Sequence, residues 1–223
     1  MSKHGSGKRE LTPELLLRAY AAGIFPMAKS RNDPDFFWVK PKVRGILPLE
    51  TFHTPRRLKK TIRKGIFEVR YDTAFNKVLK LCGEPTKNRS ETWINPLIKN
   101  AVIKLFGMGY AHSVETWREG ELVGGLYGIS LGGAFFGESM FSRFRDASKV
   151  ALAHLVIRLR LGGFTLLDVQ FITDHLSQFG ALEISVQQYT KDLDRALRVR
   201  GASFSNPFAF ENNCRSEDLR GHP

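Results

Sequence analysis

The stretch AHSVETWREGELVGGLYGISLGGAFFGE, Ala111 to Glu138, decides how this chain folds. Its β-branched and aromatic residues fall into three strand-like runs, Ala111 to Trp117, Leu122 to Ser130 and Ala134 to Glu138, broken at Arg118–Glu121 and Leu131–Gly133. Connections that short join antiparallel neighbours, so the stretch reads as a meander. Downstream, Asp146 caps a long helix with Val150, Leu152, Leu155, Val156 and Leu159 on its apolar face, ending at Gly162-Gly163. A strand from Phe164 to Val169, a short helix from Thr173 to Phe179 and a strand from Glu183 to Gln187 follow. A last helix runs from a Thr190 cap to Gly201, with an irregular tail. Upstream, Thr12-Pro13-Glu14 opens a helix that Gly23 ends, and Phe25 to Pro48 reads as an irregular connector with short extended pieces. Thr54-Pro55 starts a helix that Gly65 terminates, Ile66 to Tyr71 alternates as a strand, and a helix spans about Thr73 to Leu81. Asn95-Pro96 caps another helix, which fades at Gly107 and Gly109. The sum is an α+β layout around one mixed sheet.

Composition bounds what such a domain does. The 223 residues suffice to bury a core without disulfides or metals. Thirty-four Lys and Arg against 22 Asp and Glu leave a net charge of +12, which suits a polyanionic partner, nucleic acid ahead of an anionic membrane. Cys82 and Cys214 have no metal-type spacing and read as reduced thiols. Met1 to Arg9 lacks the apolar run of a secretory signal, and no segment approaches the roughly 20 apolar residues of a membrane span. A cytoplasmic protein without a membrane partner is the expectation.

Three features point to chemistry. The segment from Thr54 to Lys64 carries Arg56, Arg57, Lys59, Lys60, Arg63 and Lys64, with only Leu58 and Ile62 to pack. Such crowding is relieved if phosphates neutralise it, and is otherwise a solvated basic face. Arg31, Lys40, Lys42 and Arg44 could extend the patch. Glu138 ends an apolar strand, and Asp168 interrupts another with Gln170 two residues on. Groups placed so must be hydrogen-bonded, paired or facing a cavity, for catalysis, binding or an internal network. Trp93, just before a helix start, is either a core aromatic or a flat surface for a nucleobase. His112, His154 and His175 form no metal pattern and read as structural. Gly5-Ser6-Gly7-Lys8 lacks the spacing and the preceding strand of a phosphate loop.

Several motifs carry a resemblance. Tyr20-Ala21-Ala22-Gly23-Ile24-Phe25-Pro26, Arg44-Gly45-Ile46-Leu47-Pro48-Leu49, Phe52-His53 and Thr92-Trp93-Ile94 occur in order. So do Ala111 to Trp117, Leu122 to Gly128, Phe136 to Arg143, Asp146-Ala147-Ser148-Lys149, Leu167 to Gln170, His175-Leu176 and Phe179-Gly180-Ala181. Over about Leu11 to Gly201 this pattern resembles the leucyl/phenylalanyl-tRNA–protein transferases. The resemblance implies a GNAT-like acyltransferase core spanning 43–223 and a small N-terminal domain, 1–42. It implies transfer of Leu, Phe or Met from aminoacyl-tRNA to proteins beginning with Lys or Arg, marking them for N-degron degradation. No metal, acyl-CoA or other cofactor is implied, and a monomer is expected. The aminoacyl side chain would enter a pocket of Leu126, Phe135, Met140, Leu152, Leu155, Leu159 and Leu167, whose walls suit Leu, Phe and Met over β-branched or polar side chains. Glu138, Asp168 and Gln170 match polar catalytic positions. Tyr20 and Trp93 match residues near the terminal adenosine, and Arg56, Arg57, Lys59 and Lys60 are assigned to tRNA. Met27 stands where some members carry tryptophan, which softens stacking there. Most of an N-terminal extension common in the family is also missing, so a reduced small domain is expected.

On this reading Asp168 accepts or relays the proton of the attacking amine and Gln170 orients the reactants. Glu138 binds the aminoacyl amine or the acceptor's cationic end, and the ribose hydroxyl is an alternative shuttle. Two rivals remain. An acetyl-CoA-dependent acetyltransferase is disfavoured because Ser142 to Ser148 has no glycine to cradle a pyrophosphate. A non-catalytic RNA-binding protein leaves Glu138, Asp168 and Gln170 unexplained.

Overall fold

The computed structural model describes residues 10–85 and 90–205. The Gly5–Lys8 loop and Cys214 lie outside them. The elements are α1 (Pro13–Ala21), β1 (Phe25–Met27), β2 (Phe37–Val39), β3 (Val43–Ile46), α2 (Arg56–Arg63), β4 (Glu68–Tyr71), α3 (Phe75–Cys82) and α4 (Pro96–Gly107). Then come β5 (Ala111–Arg118), β6 (Glu121–Leu131), β7 (Ala134–Ser142), α5 (Ala147–Leu161), β8 (Leu166–Gln170), α6 (Asp174–Ser177), β9 (Leu182–Ser185) and α7 (Val186–Leu197). Seven strands form one mixed sheet in the order β4-β5-β6-β7-β8-β3-β9, and β1 pairs β2 separately. The meander is β5-β6-β7, antiparallel throughout, and β8 adds to β7 in parallel after the α5 crossover. This is an α+β protein around a central mixed sheet.

Strand alternation divides the core between the two faces of the sheet. Phe135, Leu126 and Leu167 join α5 and Leu58 of α2 in one apolar cluster. Their neighbours Phe136, Tyr127 and Leu166 join α1, α3, α4 and α7 in the other. Residues from Leu11 to Phe36 contribute to this second cluster, so the N-terminal segment and the sheet share a core. Gly124 lets α5 approach β6: a methyl group there would sit 2.5 Å from the Ala147 Cβ and 2.7 Å from the Thr116 Oγ1. No described helix is long and apolar enough to cross a membrane.

Three local expectations are corrected. The connector from Phe25 to Pro48 contains β3, which inserts between β8 and β9, antiparallel to both. Four residues between Pro41 and Pro48 give little periodic signal, and their partners lie more than a hundred residues away. Asp146 precedes α5 but does not cap it: its φ is +68° and its side chain makes no capping bond. Instead the Ser142 Oγ accepts from the Ser148 N–H at 3.3 Å. The last helix starts at Val186, where the Ser185 Oγ accepts from the Gln188 N–H at 3.2 Å. Thr190 lies one turn inside, donating to the Val186 carbonyl at 2.8 Å. Elsewhere the caps fall as expected on Thr12 and Asn95, and Thr173 caps the short α6.

Candidate active site

Parallel pairing of β7 with β8 stops at Phe136 and Asp168, while β7 continues six residues to Ser142. Along β6, Tyr127 opposes Ser139 and Gly128 opposes Gly137, which leaves Glu138 as the extra residue of a bulge. The bulge lifts a carboxylate out of an apolar strand at the point where two strands separate. A cavity of about 440 Å³ occupies this wedge.

Most of the expected site residues meet there. Leu126, Met140, Leu152, Leu155 and Leu167 line the cavity with Glu138, Gln170, Met27 and Trp93. Phe135 and Leu159 do not line it. Both are fully buried and belong to the apolar layer that also holds the lining leucines. Tyr20 is buried, its ring tilted against Phe136 at 4.8 Å, with its hydroxyl directed at Glu138. Phe25, Tyr127, Ser148, Val169, Phe171, Thr173, His175 and Leu176 also line the cavity and were not anticipated as site residues. They carry ordinary core or loop patterns in sequence, and only the parting of β7 and β8 brings them around one cavity.

Asp168 lies behind the cavity and not on its wall. Its Oδ1 accepts from the Arg44 Nε at 2.9 Å and from the Gln170 backbone N–H at 2.8 Å. Its Oδ2 accepts from the Arg44 Nη2 at 2.7 Å and the Tyr189 hydroxyl at 2.6 Å. Arg44 and Asp168 are 2% and 0% exposed, a fully buried ion pair. The Arg44 guanidinium also donates to the Gly23 carbonyl at 3.2 Å and lies over the rings of Phe25 and Tyr189, at 4.6 and 4.7 Å. Arg44 therefore does not extend the basic patch. Burial alone would lower its pKa, but Asp168 raises it. Burial and then Asp168 push the Tyr189 hydroxyl up, so it stays a donor.

Gln170 carries the network to the cavity. Its backbone is left-handed, with φ +58°, a conformation uncommon outside glycine that is held here by the N–H bond to Asp168. Its side-chain Nε2 donates to the Glu138 Oε1 at 3.2 Å. Glu138 opens only to the cavity, and burial lifts its carboxyl to about 8; hydrogen bonding from Tyr20 opposes the shift, Asp168 adds to it, and Arg44 opposes it. A carboxyl so poised exchanges a proton near neutral pH. Tyr20 itself is pushed well above its usual range by burial and by Glu138.

The other expected residues are peripheral. On α2, Arg56, Arg57 and Lys60 are exposed and Lys59 is half-buried, while Leu58 packs towards α5. The Arg57 guanidinium approaches Asp146 to 3.8 Å, which puts the basic helix beside the start of α5, where Ser148 lines the cavity. His112 pairs with Asp72 at 2.8 Å, and burial lowers His154 to about 4. Burial and then Lys149 lower His175. Among the described residues no cluster of three His, Cys, Asp or Glu could hold a metal ion.

The leucyl/phenylalanyl-tRNA protein transferase family profile matches residues 46–194, and the profile of that family's N-terminal domain matches residues 9–42. The leucyl/phenylalanyl-tRNA–protein transferase of Paramagnetospirillum magneticum is 61% identical over 189 residues, covering 85% of this chain and 90% of that protein. The protein of the same name from Afipia carboxidovorans is 54% identical over 207 residues, covering 93% of this chain and 91% of that one. Among solved structures, a functionally unknown conserved protein from Staphylococcus epidermidis shares 10% identity at a TM-score of 0.41, covering 79% of this chain and 66% of that one. That likeness is too slight to define the architecture.

Proposed function

Since this chain belongs to the leucyl/phenylalanyl-tRNA–protein transferase family, we propose that it moves Leu, Phe or Met from aminoacyl-tRNA to the N-terminus of proteins beginning with Lys or Arg. The product would be marked for N-degron degradation. The observation that carries the reading is the cavity itself. Its walls of Leu126, Met140, Leu152, Leu155 and Leu167 suit an unbranched or γ-branched apolar side chain, and Glu138 and Gln170 line the same cavity, where they are taken to meet the ester. An apolar wall gives β-branched side chains a poorer fit and leaves polar ones without partners.

The ester of aminoacyl-tRNA is already activated, so catalysis is mainly positioning and proton transfer. The acceptor's ammonium loses a proton, and its nitrogen attacks the ester carbonyl. The carbon–oxygen bond to the ribose then breaks as the amide forms, and the ribose oxygen leaves with a proton. Glu138 takes the amine's proton, since it faces the cavity and is poised near neutrality. Gln170 holds the Glu138 carboxylate. Asp168 acts as a positioning residue, because its oxygens already accept from Arg44, Tyr189 and the Gln170 N–H and it does not line the cavity. Trp93 and Met27, which line the cavity, receive the terminal nucleoside, and α2 receives the backbone phosphates. The parting of parallel β7 and β8 supports a GNAT-like core. The separate match of residues 9–42 to the family's N-terminal profile supports a small N-terminal domain that shares its core with the catalytic one, and the protein is taken to act as a monomer in the cytoplasm.

Acetyl-CoA is a poor fit to the same fold. At the start of α5 the Ala147 N–H is bonded to the Phe144 carbonyl and the Ser148 N–H to Ser142, and the Asp146 carboxylate stands beside them. A pyrophosphate would find two donors taken and a negative charge nearby. The test is to incubate the protein with radiolabelled Leu-tRNA and a peptide beginning with Arg. Label should pass to the peptide. Acetyl-CoA turnover without label transfer would overturn the proposal, as would tRNA binding without turnover.

A further inference from the structure

The chain returns to the sheet after α7. Ser203 donates its N–H to the Gly162 carbonyl at 2.9 Å, and Phe204, 3% exposed, enters the apolar layer beneath the cavity. Its ring lies between His112, stacked at 4.2 Å, and Phe135, stacked at 5.7 Å. The Arg158 guanidinium sits over the same ring at 4.8 Å, and its Nε donates to the Phe204 carbonyl at 2.6 Å. His112 is held in turn by Asp72 at 2.8 Å and by the Ser130 Oγ at 3.2 Å.

Phe135 is the residue this arrangement constrains. It pairs in register with Leu167, a cavity wall, and points to the same face of the sheet. Its ring is fixed from three sides. On β6 it fills the place above Gly128, where any side chain would overlap it. Phe164 meets it edge-on at 6.3 Å, and Phe204 covers a face. Gly128 and Phe164 belong to the sheet and its loops. Phe204 comes from a tail beyond the 46–194 segment that matches the family profile.

We propose that Phe204 is a positioning residue for donor specificity, a wedge that holds Phe135 in the apolar layer behind the lining leucines and so limits how far that wall can recede from the aminoacyl side chain. With the wedge removed, the Phe135 ring has room to withdraw, and Leu126, Leu155 and Leu167 in front of it can settle back and deepen the cavity. Larger aromatic side chains then enter, while Leu fills the pocket less well and loses part of its advantage. This rests on the transferase reading above, because it concerns the same pocket.

The test measures kcat/KM for transfer of Leu, Phe and Trp from their charged tRNAs to an Arg-initiated peptide, for the wild-type protein, Phe204→Ala and Phe204→Leu. The ratio of Trp to Leu transfer should rise on the order of tenfold in Phe204→Ala, by less in Phe204→Leu, as expected for one group's difference in an apolar pocket. A wedge that served folding alone would lower all three rates together, and an unchanged ratio in either soluble variant would overturn the proposal. Should Phe204→Ala fail to fold, Phe204→Leu decides on the same ratio. Absence of transfer from any charged tRNA by the wild-type protein would refute the transferase reading itself, an outcome separate from an unchanged ratio.

Discussion

Glu138→Gln separates the cost of a buried carboxyl from its use. The native carboxyl is lifted from 4.5 to about 8, chiefly by burial. In the unfolded chain it titrates near its ordinary value, so between pH 4.5 and 8 the native state binds more protons than the unfolded one. Stability therefore falls as pH rises across that window. A carboxyl lifted from 4.5 to about 8 corresponds to about 5 kcal/mol as an upper bound. Partial exposure of Glu138 to the cavity reduces this to roughly 2–4 kcal/mol. The glutamine variant has no such group, yet its amide oxygen can still accept from the Gln170 Nε2. Thermal unfolding of both proteins from pH 4.5 to 9 should show the variant gaining on the wild type as pH rises, by roughly 4–16 °C at the alkaline end. Over the same range wild-type kcat/KM for peptide transfer should climb towards pH 8, and the variant should be slower on the order of a hundredfold with that inflection lost. Parallel stability curves together with an unaltered rate profile would refute both the burial argument and the role given to Glu138.

Two further outcomes follow from the network and the basic helix. Arg44→Met leaves Asp168 buried without its cation, and Asp168→Leu does the converse. Each should cost about 3–5 kcal/mol in denaturant unfolding, and the double variant should recover much of it; additive losses would show that the pair is not coupled. Reversing Arg56, Arg57, Lys59 and Lys60 to Glu should raise KM for charged tRNA and flatten the slope of its logarithm against log salt by roughly 0.7–0.9 for each phosphate no longer neutralised. An unchanged slope would move tRNA binding away from α2.

Much of this was legible in the chain before it was folded. The meander, the helices and the caps at Thr12 and Asn95 follow from periodicity and from hydrogen bonds made within a few residues. The apolar wall and the oddly placed Glu138, Asp168 and Gln170 stood out because polar groups within apolar strands need a reason. Three things came only from tertiary structure. The β3 strand is too short and too proline-flanked to announce itself, and exists because β8 and β9 offer it two edges. Arg44 reads as one more surface cation until Asp168, 124 residues away, meets it in the interior. The division of labour between the carboxylates is likewise a matter of depth. Both interrupt apolar strands, yet one is saturated by an arginine, a tyrosine and a backbone N–H, while a bulge turns the other into a cavity. Local sequence determines which groups are costly to bury; which of them is left free to react depends on what the rest of the chain brings alongside.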